Sequence, residues 1–233
     1  MTSPVDAATE RLLDTADRLP DAGWTAPSEC AGWSRAHVLA HVALNAEGLA
    51  GAVRGVVGGP ATPMYRSDEA RDADIAELAA EPPDVVRARL RSAAALFAEA
   101  VTGLTSVAER ATFERTPGGR VMPAAAVPLL RLREVEIHHA DLLAGYTSAD
   151  WPEETVVTFL DAEAGRPPGQ RLVARATDLG RDWRLGDPGS DDPVVSGPGH
   201  ALAWWLTGRR VPVGAGGAVL SCSTGPLPTM EGR

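Results

Sequence analysis

Apolar side chains recur along the first two thirds of the chain at helical rather than alternating spacing. Val5, Ala8, Leu12, Leu13, Ala16 and Leu19 share one stripe, with Ser3 placed to cap and Pro4 at the first helical position, which predicts a helix over 4–19. A loop follows and ends in Cys30-Ala-Gly-Trp-Ser34. Ser34 is a favourable N-cap, Trp33 is placed to pack on Val38, and the pattern through His37, Val38, His41, Val42, Asn45 and Leu49 predicts a second helix to about Val57. Gly58-Gly59-Pro60 ends it. Residues 61–83 are polar, with a short helical pattern over 72–80 closed by Pro82-Pro83. Asp84 is placed to cap a third long helix, predicted over 85–110 through Val86, Leu90, Ala94, Phe97, Val101 and Leu104. Thr116-Pro-Gly-Gly-Arg120 is a turn, and a fourth helix begins near Pro123, carries Pro128 early and runs to about Gly145.

After Trp151 the pattern changes. One more helix is predicted over 153–164, and Arg171–Thr177 with Asp182–Leu185 predict a hairpin across Asp178-Leu-Gly-Arg181. A Gly/Asp/Pro loop leads to Val194-Val-Ser196, Gly199–Thr207 predicts an apolar helix, and Ala218–Ser223 a last strand. The fold class is therefore mainly α with a small α/β domain: an antiparallel four-helix bundle over 1–149, then an α/β domain over 150–233, with the boundary near 147–152.

Composition narrows the function. With 44% hydrophobic and 23% charged residues the chain of 233 can bury a real core. A net charge of -9 without a basic cluster argues against a nucleic-acid partner. No apolar run reaches membrane-spanning length and the N-terminus lacks the n- and h-regions of a leader, so a cytoplasmic protein with no membrane partner is expected, and a monomer. Two cysteines, Cys30 and Cys222, form no CxxC pair and are expected to be reduced thiols.

The run Arg131-Leu-Arg-Glu-Val-Glu-Ile-His-His-Ala-Asp-Leu142 sets acids and histidines into an otherwise apolar helix. Glu134 and His138 project from one face, and Asp141 follows on the same stripe. Such groups are costly to bury singly, and a shared divalent cation satisfies both. His41 on the second helix is the candidate third ligand, and Asp141 the partner for the other ring nitrogen of His138. The spacing equally fits a solvated or mutually hydrogen-bonded pair, and His37 with His41 is a rival pair within one helix. Glu136 and His139 are expected to face away, and His200 to be packed or capping. A nucleophilic enzyme using Ser34 or Cys30 near His37 lacks any surrounding signature.

Gly32-Trp-Ser-Arg-Ala-His-Val-Leu-Ala-His41 together with Arg133-Glu-Val-Glu-Ile-His-His-Ala-Asp-Leu142 resembles the mycothiol-dependent maleylpyruvate isomerase family, within the DinB-like superfamily. The resemblance covers the whole chain and implies a DinB-like bundle joined to a small α/β domain. It implies metal ligation by His41, Glu134 and His138, with zinc the usual metal, although the donor set would also accept Fe(II) or Ni(II). It further implies an active-site arginine in the C-terminal domain. Trp204-Trp-Leu-Thr-Gly-Arg209 is similar to the family's segment, making Arg209 the candidate and Arg210 the fallback, although both could simply end a helix.

The activity implied is cis-trans isomerisation of maleylpyruvate to fumarylpyruvate with mycothiol as thiol cofactor. The metal lowers the thiol pKa, the thiolate adds to the double bond, the enolate rotates, and elimination returns the thiol. Arg209 would hold a substrate carboxylate or the enolate oxygen. The partners expected are thus a small-molecule substrate and a low-molecular-weight thiol. Two alternatives share the sequence: a mycothiol S-transferase conjugating electrophiles at the same metal, and a non-catalytic binding module that kept the bundle.

Overall fold

The computed structural model describes residues 3–104, 110–165, 170–211, 213–214 and 217–230. The chain divides into two compact units, Met1–Tyr146 and Thr147–Arg233.

The first unit is built from helices α1 (Pro4–Arg18), α2 (Arg35–Val57), α3 (Asp68–Ala79), α4 (Pro83–Val101) and α5 (Val127–Asp141). Both α1 and α2 pack against both α4 and α5, which closes a four-helix ring, while α3 lies on α2. With neighbours on three sides α2 is buried almost all round. Val38, Leu39, Val42, Leu49 and Val53 are fully enclosed, and Leu12, Val86, Leu90 and Val135 are buried on the other helices. Each such side chain contributes about 1.5–3 kcal/mol. Helix α2 also carries glycines where the chain returns across it. A Cβ on Gly48 would stand 2.8 Å from the Met64 carbonyl oxygen, so the segment bearing Tyr65 lies directly on the helix.

Several boundaries differ from the sequence pattern, each for a local reason. Helix α3 starts at Asp68, earlier than expected, because the Ser67 hydroxyl accepts from Ala70 N at 3.0 Å. Helix α4 starts at Pro83, whose fixed φ suits the first helical position, so Asp84 sits inside the first turn rather than capping it. It ends at Val101, where the Thr102 hydroxyl turns back to Glu99 O and Gly103 follows; of the helix expected beyond, 105–109 lie outside the described residues. The turn at 116–120 joins strands β1 (Thr112–Glu114) and β2 (Val121–Pro123), a hairpin too short to show alternation in sequence, with Phe113 and Met122 buried. A 3-10 turn over Ala124–Ala126 precedes α5, whose Pro128 lies in the first turn. Helix α5 stops at Asp141 because Leu143 adopts φ 52°, and the Arg35 guanidinium takes the freed carbonyls of Leu142 and Leu143 at 2.6 and 2.5 Å. The start of α2 is thereby tied to the end of α5.

In the second unit α6 (Glu153–Ala164) and α7 (Gly199–Leu206) accompany a sheet of order β4-β3-β5-β8. Strands β3 (Leu172–Ala176) and β4 (Arg181–Leu185) form the expected antiparallel hairpin, with Leu172 opposite Leu185; β5 (Val194–Gly197) runs parallel to β3. The strand expected over 218–223 is broken. Gly217–Ala218 (β7) pairs with Val213–Gly214 (β6), whereas Ser221–Cys222 (β8) joins the edge of the main sheet beyond the buried Leu220. Trp151 packs edge-on against Phe159 and Trp204, and the Trp183 indole donates to Asp161 at 2.7 Å. Among the described residues no helix is long and apolar enough to cross a membrane.

Candidate metal centre

Helix α5 sorts its ionisable groups onto two faces. Toward α2 it presents Glu134 and His138. His41 Nε2 lies 2.8 Å from Glu134 Oε2, and His138 Nε2 lies 3.4 Å from the same oxygen. The two imidazoles meet at right angles, 4.7 Å between centroids, and one donor atom from each of the three residues falls within 4.8 Å of the others. Toward α1 the helix presents Glu136 and His139. Glu136, fully buried, accepts from Arg11 and from the Tyr146 hydroxyl, each at 2.6 Å, while His139 stacks on Tyr146 and bonds Thr15. These two face away from His41, and both are buried.

The loop before α2 completes the surroundings of His138. Trp33 N donates to Cys30 O in a turn that needs a left-handed Gly32 (φ 80°), and Glu29 N donates to the Asp141 carbonyl. The Cys30 thiol is thereby brought 3.4 Å from Asp141 Oδ2, which itself lies 2.8 Å from His138 Nδ1. Asp141 is wholly excluded from solvent and can only accept, so His138 keeps its proton on Nδ1 and turns Nε2 toward Glu134. His41 is held the other way. Its Nδ1 lies 3.2 Å from Arg71 Nη2, a pure donor, so Nε2 carries the proton it gives to Glu134.

Charge follows from this arrangement. Burial opposes ionisation of Glu134, yet the imidazoles of His41 and His138 hold its carboxyl well below the usual range. Burial also works against a charge on His138, but hydrogen bonds to Asp141, Cys30 and Glu134 raise its pKa well above the ordinary value. For His41 burial prevails over Glu134 and its pKa falls. The protein thus sets a carboxylate between one imidazolium and one neutral imidazole, the balance of charge that a cation on the same three donors would replace. Two imidazole nitrogens and a carboxylate oxygen suit a divalent metal with positions left open. Close behind, Arg131 is buried across Phe97, donates to Val42 O and Asn45 Oδ1, and is pushed down to about 10 by burial against the pull of Glu134 and Tyr65.

His41, Glu134, His138 and Asp141 come together as their spacing suggests. His37 does not join them: its ring nitrogen lies 2.8 Å from the Ser34 hydroxyl, where it serves the N-terminal cap of α2. Trp33, expected on Val38, has its ring 5.5 Å from that of His41. Arg209 belongs to the second unit, where its guanidinium lies over Trp204, 5.8 Å from the ring centroid. His200 lies 3.4 Å from the Ser148 hydroxyl. Arg71 and Tyr65, which come from the polar stretch between α2 and α4, have no periodicity to point to them, and Cys30 is a neighbour of His138 rather than of His37.

The sequence profile described as the mycothiol maleylpyruvate isomerase N-terminal domain matches residues 5–143. The chain belongs to this family. Two solved structures extend the similarity beyond the matched region: the crystal structure of the mycothiol-dependent maleylpyruvate isomerase and that of a histidine-to-alanine mutant of it. Each is 29% identical, with a TM-score of 0.82, over 99% of this chain and 94% of that one. No curated protein matches. Family membership thus rests on the unit that holds the triad, and the structural likeness spans the second unit as well.

Proposed function

We propose that this chain isomerises maleylpyruvate to fumarylpyruvate, using mycothiol and a divalent metal, zinc by preference, held by His41, Glu134 and His138. The observation that carries this reading is the convergence of the three donors within 4.8 Å, in a chain that is similar over nearly its full length to the mycothiol-dependent maleylpyruvate isomerase.

The cation would supply the charge that favours thiolate over thiol at neutral pH, and mycothiol the sulfur whose reversible addition makes the cis double bond a rotatable single bond. The chain's own residues provide the rest. Glu134 brings a negative charge that offsets part of the cation's. Asp141 holds the Nδ1 proton of His138 and so keeps Nε2 available as a donor. Trp33 and the buried end of α2 cover one side of His41. Arg209 is assigned to a substrate carboxylate or to the enolate oxygen, on the strength of the segment Trp204–Arg209.

The test is conversion of maleylpyruvate with substoichiometric mycothiol by the zinc-loaded protein. Isomerisation with full recovery of thiol supports the reading. Thiol consumed one for one with electrophile would replace it with an S-transferase, and a protein that takes up no metal with a binding module. Arg209→Ala is expected to keep the metal and lose rate, whereas His41→Ala and His138→Ala lose both.

A further inference from the structure

Arg71 reaches from α3 toward the metal centre in surroundings that suit a guanidinium able to change partners. Its Cζ lies 5.9 Å from the Trp33 ring centroid and 5.7 Å from that of Tyr65, so two aromatic faces hold it. Nη1 meets Asp72, its exposed neighbour in sequence, in a pair of little strength. Nε is buried and makes no hydrogen bond among the described residues, and Nη2 rests against His41 Nδ1. Arg71 also lines a cavity of about 250 Å³ together with Tyr65, Arg66, Glu47 and Asp74, the two carboxylates being paired with Arg89 and Arg66 respectively.

The contact with His41 cannot coexist with ligation. A neutral imidazole nitrogen accepts a hydrogen bond only while the other nitrogen bears the ring proton. A cation on Nε2 therefore leaves the proton on Nδ1, where it faces the N–H groups of Arg71, donor against donor. Nη2 then loses its acceptor, which leaves the guanidinium with the Tyr65 hydroxyl, the exposed Asp72 and a buried Nε that has no partner among the described residues.

We propose that Arg71 is an anion-binding residue of this centre in addition to Arg209: occupation of the triad frees it from His41, and it takes a carboxylate of the substrate from the cavity that it lines. This inference rests on the metal reading given above. Metal and anion binding are consequently linked, because the same guanidinium opposes the cation in the empty centre and receives the anion in the filled one. The aromatic faces of Trp33 and Tyr65 keep it at the cavity in both states.

The experiment measures two affinities on wild type, Arg71→Met and Arg71→Lys: zinc by competition with a chromophoric chelator, and maleate by calorimetry on zinc-loaded and metal-free protein. In Arg71→Met zinc is expected to bind about 3- to 10-fold tighter, since one competing hydrogen bond is gone. Maleate is expected to bind zinc-loaded Arg71→Met about 10- to 100-fold more weakly than zinc-loaded wild type, for loss of a charge-assisted fork. Arg71→Lys keeps the charge without the fork and falls between; should the methionine variant fail to fold, a loss of at least about threefold for maleate in the lysine variant, with zinc bound no more weakly than by wild type, carries the test. Damage to the fold would weaken both affinities, so opposite changes distinguish the proposed role from a structural one. Zinc uptake by wild type with maleate affinity unchanged in the variants, or with both affinities weakened, would overturn this inference alone. No zinc uptake by wild type would overturn it together with the proposed function.

Discussion

Asp141→Asn isolates the contribution of a residue that acts on the candidate centre through its hydrogen bond to His138. Its Oδ2 lies 2.8 Å from His138 Nδ1 and 3.4 Å from the Cys30 thiol, and its side chain has no exposure to solvent. The amide has the same shape and can still accept from Nδ1 but carries no charge, and charge-assisted hydrogen bonds are roughly twice as strong as neutral ones. Partners of this kind behind a metal-bound histidine are worth about 10- to 100-fold in metal affinity, or about 1.4–2.8 kcal/mol. Full burial removes the screening that would shrink the effect, so the upper part of that range, about 30- to 100-fold, is expected. An amide turned the other way would present N–H to Nδ1, force the ring proton to Nε2 and weaken binding further. The assay is zinc competition at fixed pH, with circular dichroism to confirm the fold. An affinity within about twofold of wild type, in a folded variant, would refute the tautomer argument for His138.

Glu136→Gln tests the opposite face of the same helix: losing the charge that meets Arg11 and Tyr146 should cost about 1–3 kcal/mol of unfolding free energy yet leave zinc affinity unchanged, and a zinc effect would count against the two-face assignment. Gly48→Ala places a methyl 2.8 Å from the Met64 carbonyl and should displace the Tyr65 segment, destabilising by about 1–3 kcal/mol in denaturant titrations; a neutral result would mean the segment moves freely. In the second unit burial lowers the pKa of His200 against the opposing carboxylates of Asp178 and Asp150. Unfolding therefore takes up a proton as pH falls, and the stability contributed by neutral His200 is present above its unfolded pKa and lost below it. The urea midpoint followed by tryptophan fluorescence should drop from pH 7 to pH 5, and less so in His200→Asn; equal slopes would contradict this.

The long helices were legible because their apolar positions recur at helical spacing over several turns, and α1, α2 and α6 begin and end within a residue of where their pattern, prolines and glycines put them. What the pattern missed was decided at a distance. Helix α5 ends where Arg35, more than a hundred positions away, takes its carbonyls, and β1 and β2 are too short to alternate. The same division holds at the candidate site. Glu134, His138 and Asp141 share a helical face and can be read from spacing, and His41 from its stripe on α2 together with the family motif. Arg71 and Tyr65 come from a polar segment without periodicity, laid on α2 by Gly48, and Cys30 reaches Asp141 only through a turn that Gly32 permits. Such contacts arise from loop geometry, which leaves no period in the chain.

In the proposed function, His41, Glu134 and His138 hold a metal at which the chain isomerises maleylpyruvate. Metal content and mycothiol-dependent isomerisation measured side by side on wild type and Glu134→Ala test it most directly. About one zinc ion per wild-type chain, isomerisation at catalytic thiol, and loss of both in the variant are expected. Zinc retained by a folded Glu134→Ala, or a zinc-loaded wild type that leaves maleylpyruvate unchanged, would contradict it.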